Sequence, residues 1–176
     1  MTPCRFLFLI PALLAAALPL RAADTLRDRQ VGYFLFNETA DEESQVHLIT
    51  LAKTTPPDVS DYVKRVSENA GRTLAFVEKV EDRQPGLKLG DDPLPRFERD
   101  VRQSIREDKQ HNLLFGTTDV KFARALLFSQ VEATNYLMHM AKVLAQDDSA
   151  HARELTRLSI SWQRLRDEGI RLSAGR

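Results

Sequence analysis

The sequence predicts an all-α protein, an antiparallel four-helix bundle with one additional helix behind an export signal. Three observations lead there. No stretch alternates apolar and polar residues for long enough to make a strand, whereas apolar positions recur with a period near 3.6 along most of the chain. Two segments carry apolar seams at alternating intervals of four and three. The strong helix breakers gather in one connection, Asp82 to Pro95, which contains Pro85, Gly86, Gly90, Pro93 and Pro95.

The N-terminal segment comes first. Arg5 precedes an apolar run from Phe6 to Leu20 that holds Pro11 and Pro19, and small residues follow at Ala22 and Ala23. The run is shorter than the ~20 residues a membrane-spanning helix needs. Basic start, short apolar run and small-residue end form the pattern of a signal peptide. The expected division is therefore a signal at 1–22 and a single bundle domain at 23–176, exported, and periplasmic in a two-membrane bacterium. Cys4 is the only cysteine and would leave with the signal. The mature chain then has no thiol for a disulfide, a thiolate metal site or a nucleophile.

The first helix is expected over Asp28–Lys53, with Gly32 and Asn37 interrupting it. The second begins at Pro57–Asp58, where proline and an acid favour a helix start. It runs to about Val80 along the seam Val59, Val63, Val66, Ala70, Thr73, Val77 and Val80. The third spans Arg96–Phe115, with Gly116 as its C-cap and Thr117 or Thr118 capping the next. The fourth, Asp119 to about Gln146, is the longest and most apolar. Asp147, Asp148 and Ser149 offer caps for the fifth, whose seam is His151, Leu155, Leu158, Trp162, Leu165, Gly169 and Leu172. Glycine inside a helix costs about 1 kcal/mol relative to alanine. Gly169 therefore predicts a close approach by another helix, and Gly169→Leu should destabilise the fold.

Composition excludes several functions. The chain has 25 Lys and Arg against 25 Asp and Glu, and loss of the signal's Arg5 and Arg21 would leave a mature charge of −2. That gives no general field for nucleic acid or anionic lipid. No Ser-His-Asp arrangement, glycine-rich phosphate loop or zinc spacing is present.

Inside a bundle, chemistry comes from polar side chains on buried stripes. On the fourth helix, Glu132 and His139 project to the solvated side, whereas Gln130 and Thr134 project inward. Met138, His139 and Met140 resemble a soft copper motif, but consecutive helical residues point ~100° apart and cannot share one ion. On the third helix, the stripe Phe97, Val101, Ile105 and Phe115 is interrupted by Ser104, Asp108 and Asn112, with His111 at its margin. Asp108 and His111 stand at i, i+3 and can converge on one point. A wet face, an internal hydrogen-bond network and half of a metal site are three readings of that stripe. Glu43 and His47, at i, i+4, read as a surface pair.

Several stretches carry a family resemblance. They are Ser44-Gln45-Val46-His47-Leu48 with Leu51-Ala52, then Val59-Ser60-Asp61-Tyr62-Val63-Lys64-Arg65-Val66. The strongest is Phe122-Ala123-Arg124-Ala125-Leu126-Leu127 followed by Gln130-Val131-Glu132-Ala133-Thr134. In this order they resemble a family of exported bacterial ferritin-like bundles built on a domain of unknown function, in which the last stretch commonly reads F-x-R-x-Y-L-x-x-Q-V-x-D-H. The resemblance implies a ferritin-like fold. It also implies that the family's histidines fall on Thr134 and Ala70, and a family glutamate on Gln45, so that the ligand positions are not kept.

The expected inward polar cluster is thus Gln45, Ser104, Asp108, Asn112, Gln130 and Thr134, with no catalytic residue and no cofactor. The expected function is a non-enzymatic exported bundle, an envelope interaction or stress-associated protein with a protein partner. One alternative is a diverged metal-binding or oxidase bundle using Asp108 and His111 with Glu38 or Glu42. A second is a carrier holding a hydrophobic ligand along the fourth helix.

Overall fold

A computed structural model describes residues 17–84, 86–115 and 119–175, with side chains described from 26 onward except at 114–115 and 119–120. Cys4, most of the apolar N-terminal run, Pro85, Gly116, Thr117 and Thr118, and the side chain of Phe115, lie outside the described residues. The described chain is helical: α1 Ala17–Ser44, α2 His47–Ala52, α3 Pro57–Arg83, α4 Arg96–Phe115, α5 Asp119–Asp147 and α6 Ala152–Ala174. Helix α1 packs on α3 and α5, α6 packs on α5 and α3, α2 leans on α3, and α4 touches α5 only lightly. Among the described residues, no helix is long and apolar enough to cross a membrane.

The two seams become the core. Every seam residue of α3, from Val59 to Val80, is buried, and Leu155, Trp162, Leu165 and Gly169 of α6 face them. Burying each such aliphatic side chain contributes about 1.5–3 kcal/mol. Trp162 adds direction: its indole Nε1–H donates to Thr73 Oγ1 at 3.2 Å, which explains a threonine in a valine seam. The breaker-rich connection is pinned as well. Leu87 is fully buried, and the Leu89 amide donates to Glu81 Oε1 at 3.0 Å.

The first helix departs from expectation. It runs unbroken through Gly32 and Asn37 and ends instead at Ser44, with α2 restarting at His47. Gly32 serves packing: a Cβ there would lie 2.9 Å from Leu144 Cδ2 of α5. The break has a specific cause. In a continuous helix the His47 amide would donate to the Glu43 carbonyl. The Ser67 hydroxyl of α3 stands between them, donating to Glu43 O at 3.1 Å and accepting from His47 N at 3.2 Å. Insertion of a side chain into the i to i−4 ladder is a known origin of sharp kinks.

Helix α4 is rotated relative to its expected orientation. Phe97, Val101 and Ile105 are 80%, 38% and 60% exposed, so the apolar stripe faces outward. The inward side carries Arg102, Arg106 and Lys109, and ends at buried Leu113. Ion pairs hold it that way. Arg106 Nη1 donates to Glu38 Oε1 at 2.5 Å and Glu42 Oε1 at 3.1 Å on α1, and Lys109 Nζ lies 3.5 Å from Glu43 Oε1. Ser104, Asp108, His111 and Asn112 are consequently exposed, the wet-face reading of that helix.

Candidate functional site

Helices α1, α3, α5 and α6 each contribute to one polar layer in the interior. On α1 the buried phase runs Tyr33, Phe36, Ala40, Glu43, spaced three, four and three. Glu43 is therefore carried into the core by its own helix and is 3% exposed. On α5, Gln130 and Thr134 are fully buried one turn apart, and the Thr134 hydroxyl donates to the Gln130 carbonyl at 2.7 Å. Tyr62 enters from α3, fully buried. Gly169 of α6 completes the layer by having no side chain: a Cβ there would lie 2.5 Å from Tyr62 Oη and 2.8 Å from Val131 Cγ2.

The layer is unevenly satisfied. Glu43 Oε1 faces Lys109, but Glu43 Oε2, Tyr62 Oη and both polar atoms of the Gln130 amide have no hydrogen-bond partner among the described residues. Burying such groups unpaired costs about 1–3 kcal/mol each. The electrostatics follow. Burial pushes the Glu43 carboxyl above the usual range, against the lowering influence of the Lys109 ammonium. The Gln130 amide also favours the ionised form from nearby without reaching hydrogen-bond geometry. Burial raises the Tyr62 phenol, against the lowering influence of the nearby Thr134 hydroxyl and the Arg65 charge, with the charges of Glu168 and Glu43 adding to the rise.

This layer opens onto a cleft of about 460 Å³ between the end of α1, α2 and α4. Glu43 and Gln130 lie at its floor, Val46, Ile49 and Leu113 give apolar walls, and Arg106 and Lys109 stand on the α4 side. Glu43 and Gln130 thus line a space large enough for a small molecule, with two unpaired acceptors and one amide donor buried just beneath its surface. Of the expected inward cluster, Gln130 and Thr134 are buried here, whereas Gln45, Ser104, Asp108 and Asn112 are exposed. Gln45 falls in the α1–α2 break and lines the cleft's edge.

The metal reading finds no donor set. Among the described residues, no group of three or more His, Cys, Asp or Glu side chains is placed to hold an ion. Glu38 and Glu42 turn to Arg106 rather than to Asp108. Glu132 and His139 lie on the exposed side of α5.

A second buried cluster sits at the α5–α6 turn. Tyr33 Oη donates to Asp148 Oδ2 at 2.9 Å, and His151 Nδ1 approaches the same oxygen at 2.9 Å. Asp148 accordingly ties the turn to α1, and His151, at the N-terminal boundary of α6, makes no side-chain cap bond. Burial pulls the Asp148 carboxyl upward, but the bonds from His151 and Tyr33, with the charges of His151 and Arg29, outweigh it and leave its pKa lowered.

Sequence reasoning missed Glu43, Tyr62 and the role of Asp148. Glu43 was readable, because it continues the three-four-three phase of Tyr33, Phe36 and Ala40. No family model, no curated protein and no solved structure matches the chain.

Proposed function

We propose that this is an exported, non-enzymatic helical bundle of ferritin-like descent that works by binding a small molecule in the α1–α2–α4 cleft. The observation that carries this reading is that the two residues flooring the cleft hold unpaired buried atoms, Glu43 Oε2, Gln130 Oε1 and Gln130 Nε2, which a side-chain turn would bring to an occupant. The neighbour order α1–α3–α6–α5 closes a four-helix ring, which supports ferritin-like descent, with α4 laid outside it. Thr134 and Ala70 stand inside that ring at the positions where the resembling family has histidines. A vacated metal layer reused for an organic ligand accounts for both facts. An envelope or stress-associated role suits such an exported binder.

The donor set selects the ligand. Asp41, Glu42 and Glu43 line the cleft against Arg106 and Lys109, an acidic excess of one. Two of the three orphan atoms are acceptors. A small primary ammonium with a short apolar tail supplies N–H donors to Glu43 and Gln130 and lays its tail on Val46, Ile49 and Leu113. A polar floor under apolar walls fits such an amphiphile better than a wholly hydrophobic cargo.

The test is calorimetric titration of the full chain with n-butylammonium, tetramethylammonium and butyrate. Saturable binding of n-butylammonium alone is expected, weakened about tenfold or more in Glu43→Gln. Equal binding of tetramethylammonium, which has no N–H donor, would contradict the reading, as would no binding of n-butylammonium.

A further inference from the structure

A second recess, of about 530 Å³, lies between α3 and α6 beside the α5–α6 turn, on residues separate from the Glu43 cleft. Its charge is one-sided. Arg72, Lys79 and Arg83 come from one face of α3, spaced seven and four, and Arg157 comes from α6. Glu154 is the single acid among its described lining residues. None of the four cations makes an ion pair with a carboxylate among the described residues, although Arg65, Arg99, Arg102 and Arg106 elsewhere on the surface all do. Arg72 donates only to the Asn69 side-chain oxygen, at 3.0 Å. The described lining thus carries four cations against one carboxylate.

The floor is fixed by hydrogen bonds. His151 lines the recess with its Nδ1 engaged by Asp148, which is itself fixed by Tyr33. Nε2 is therefore the ring nitrogen His151 has left to offer a ligand. Phe76 packs edge-on against the imidazole, with ring centroids 6.0 Å apart, and with Leu158 gives the recess an apolar surface.

We propose that this recess binds a phosphate monoester that carries a flat apolar body. Three guanidinium forks and one ammonium match the oxygens of a doubly charged phosphate. His151 Nε2 supplies a further polar contact, and Phe76 with Leu158 receives the body. A single carboxylate would leave most of these cations unmatched. The occupant is a soluble molecule rather than a lipid surface, because the cations line a concavity and not a flat face.

The test is titration of the full chain with phenyl phosphate, followed by calorimetry and by 31P NMR of the ligand. Inorganic phosphate, benzyl alcohol and phosphatidic acid vesicles are titrated in parallel. Saturable one-to-one binding of phenyl phosphate is expected, tighter than that of inorganic phosphate, with none for benzyl alcohol. Lys79→Gln/Arg83→Gln changes only exposed side chains, so it keeps the thermal midpoint while weakening binding about tenfold or more. The proposal is overturned if phenyl phosphate shows no saturable binding up to about 10 mM. It is equally overturned if the double variant binds as the parent does, or if the vesicles bind and phenyl phosphate does not. Failure here leaves the Glu43 cleft untouched, since Glu43→Gln and Lys79→Gln/Arg83→Gln alter separate sites.

Discussion

Replacing Gly169 with alanine should destabilise the protein, although helix propensity alone would make it more stable. Alanine gains about 1 kcal/mol over glycine inside a helix. The opposing effect is steric. The new methyl carbon would start 2.5 Å from Tyr62 Oη, 3.0 Å from Tyr62 Cζ and 2.8 Å from Val131 Cγ2. Both neighbours belong to packed helices, and overfilling such a site costs about 1–3 kcal/mol. The balance is a loss of up to about 2 kcal/mol, or a few degrees in thermal midpoint for a domain of this size. Tyr62→Phe isolates the cause. It removes a buried hydroxyl that has no partner among the described residues, so alone it should be neutral or stabilising. In the background of Gly169→Ala it should recover part of the loss, giving a coupling of about 0.5–3 kcal/mol in a double-mutant cycle. Urea melts followed by circular dichroism measure all four proteins. A Gly169→Ala protein more stable than the parent, or additive single effects in the cycle, would refute the placement of the Tyr62 hydroxyl over Gly169.

Three other outcomes follow from the same packing. Glu43 has a folded-state pKa raised by burial, so the folded protein holds its proton more tightly than the unfolded chain. Stability from this group is present below the ordinary glutamate range and is lost as pH rises through the folded value. Urea melts across pH should show Glu43→Gln gaining on the parent as pH increases, and a constant difference would contradict this. Asp148 has the opposite sign, because its folded pKa is lowered: its contribution is present above about 4 and is lost as pH falls through the folded value. Asp148→Asn should therefore flatten the acid limb of the stability profile, and an unchanged limb would refute the Tyr33–Asp148–His151 linkage. On α4, Phe97→Ser/Ile105→Ser should cost less than about 1 kcal/mol in a thermal melt, because both side chains face outward. A loss of several kcal/mol would mean that the stripe packs inward.

How much of this was legible in the sequence varies by helix. The seams of α3 and α6 were readable because each buries one continuous stripe against the other, so local periodicity and tertiary packing agree. Helix α4 was misread for a physical reason. Its apolar pattern points Phe97, Val101 and Ile105 inward, but Arg106 and Lys109 are held by Glu38, Glu42 and Glu43, more than sixty positions earlier in the chain. Periodicity within one helix carries no record of partners on another. The end of α1 was hidden in the same way. Gly32 and Asn37 are the local breakers, yet the helix stops where Ser67, brought in by α3, replaces a backbone bond. At the candidate site, Gln130 and Thr134 were placed by the phase of α5, whereas Glu43 was read from its spacing to His47 instead of its phase with Phe36 and Ala40.

Glu43 lies buried at the floor of the α1–α2–α4 cleft, where the proposed occupant brings N–H donors. The most direct measurement is the titration of the Glu43 side-chain carboxyl carbon by NMR, without and with n-butylammonium. The expected midpoint lies above the ordinary glutamate range in the free protein and moves down when the ammonium binds. A midpoint at the ordinary value, unmoved by the ligand, would contradict it.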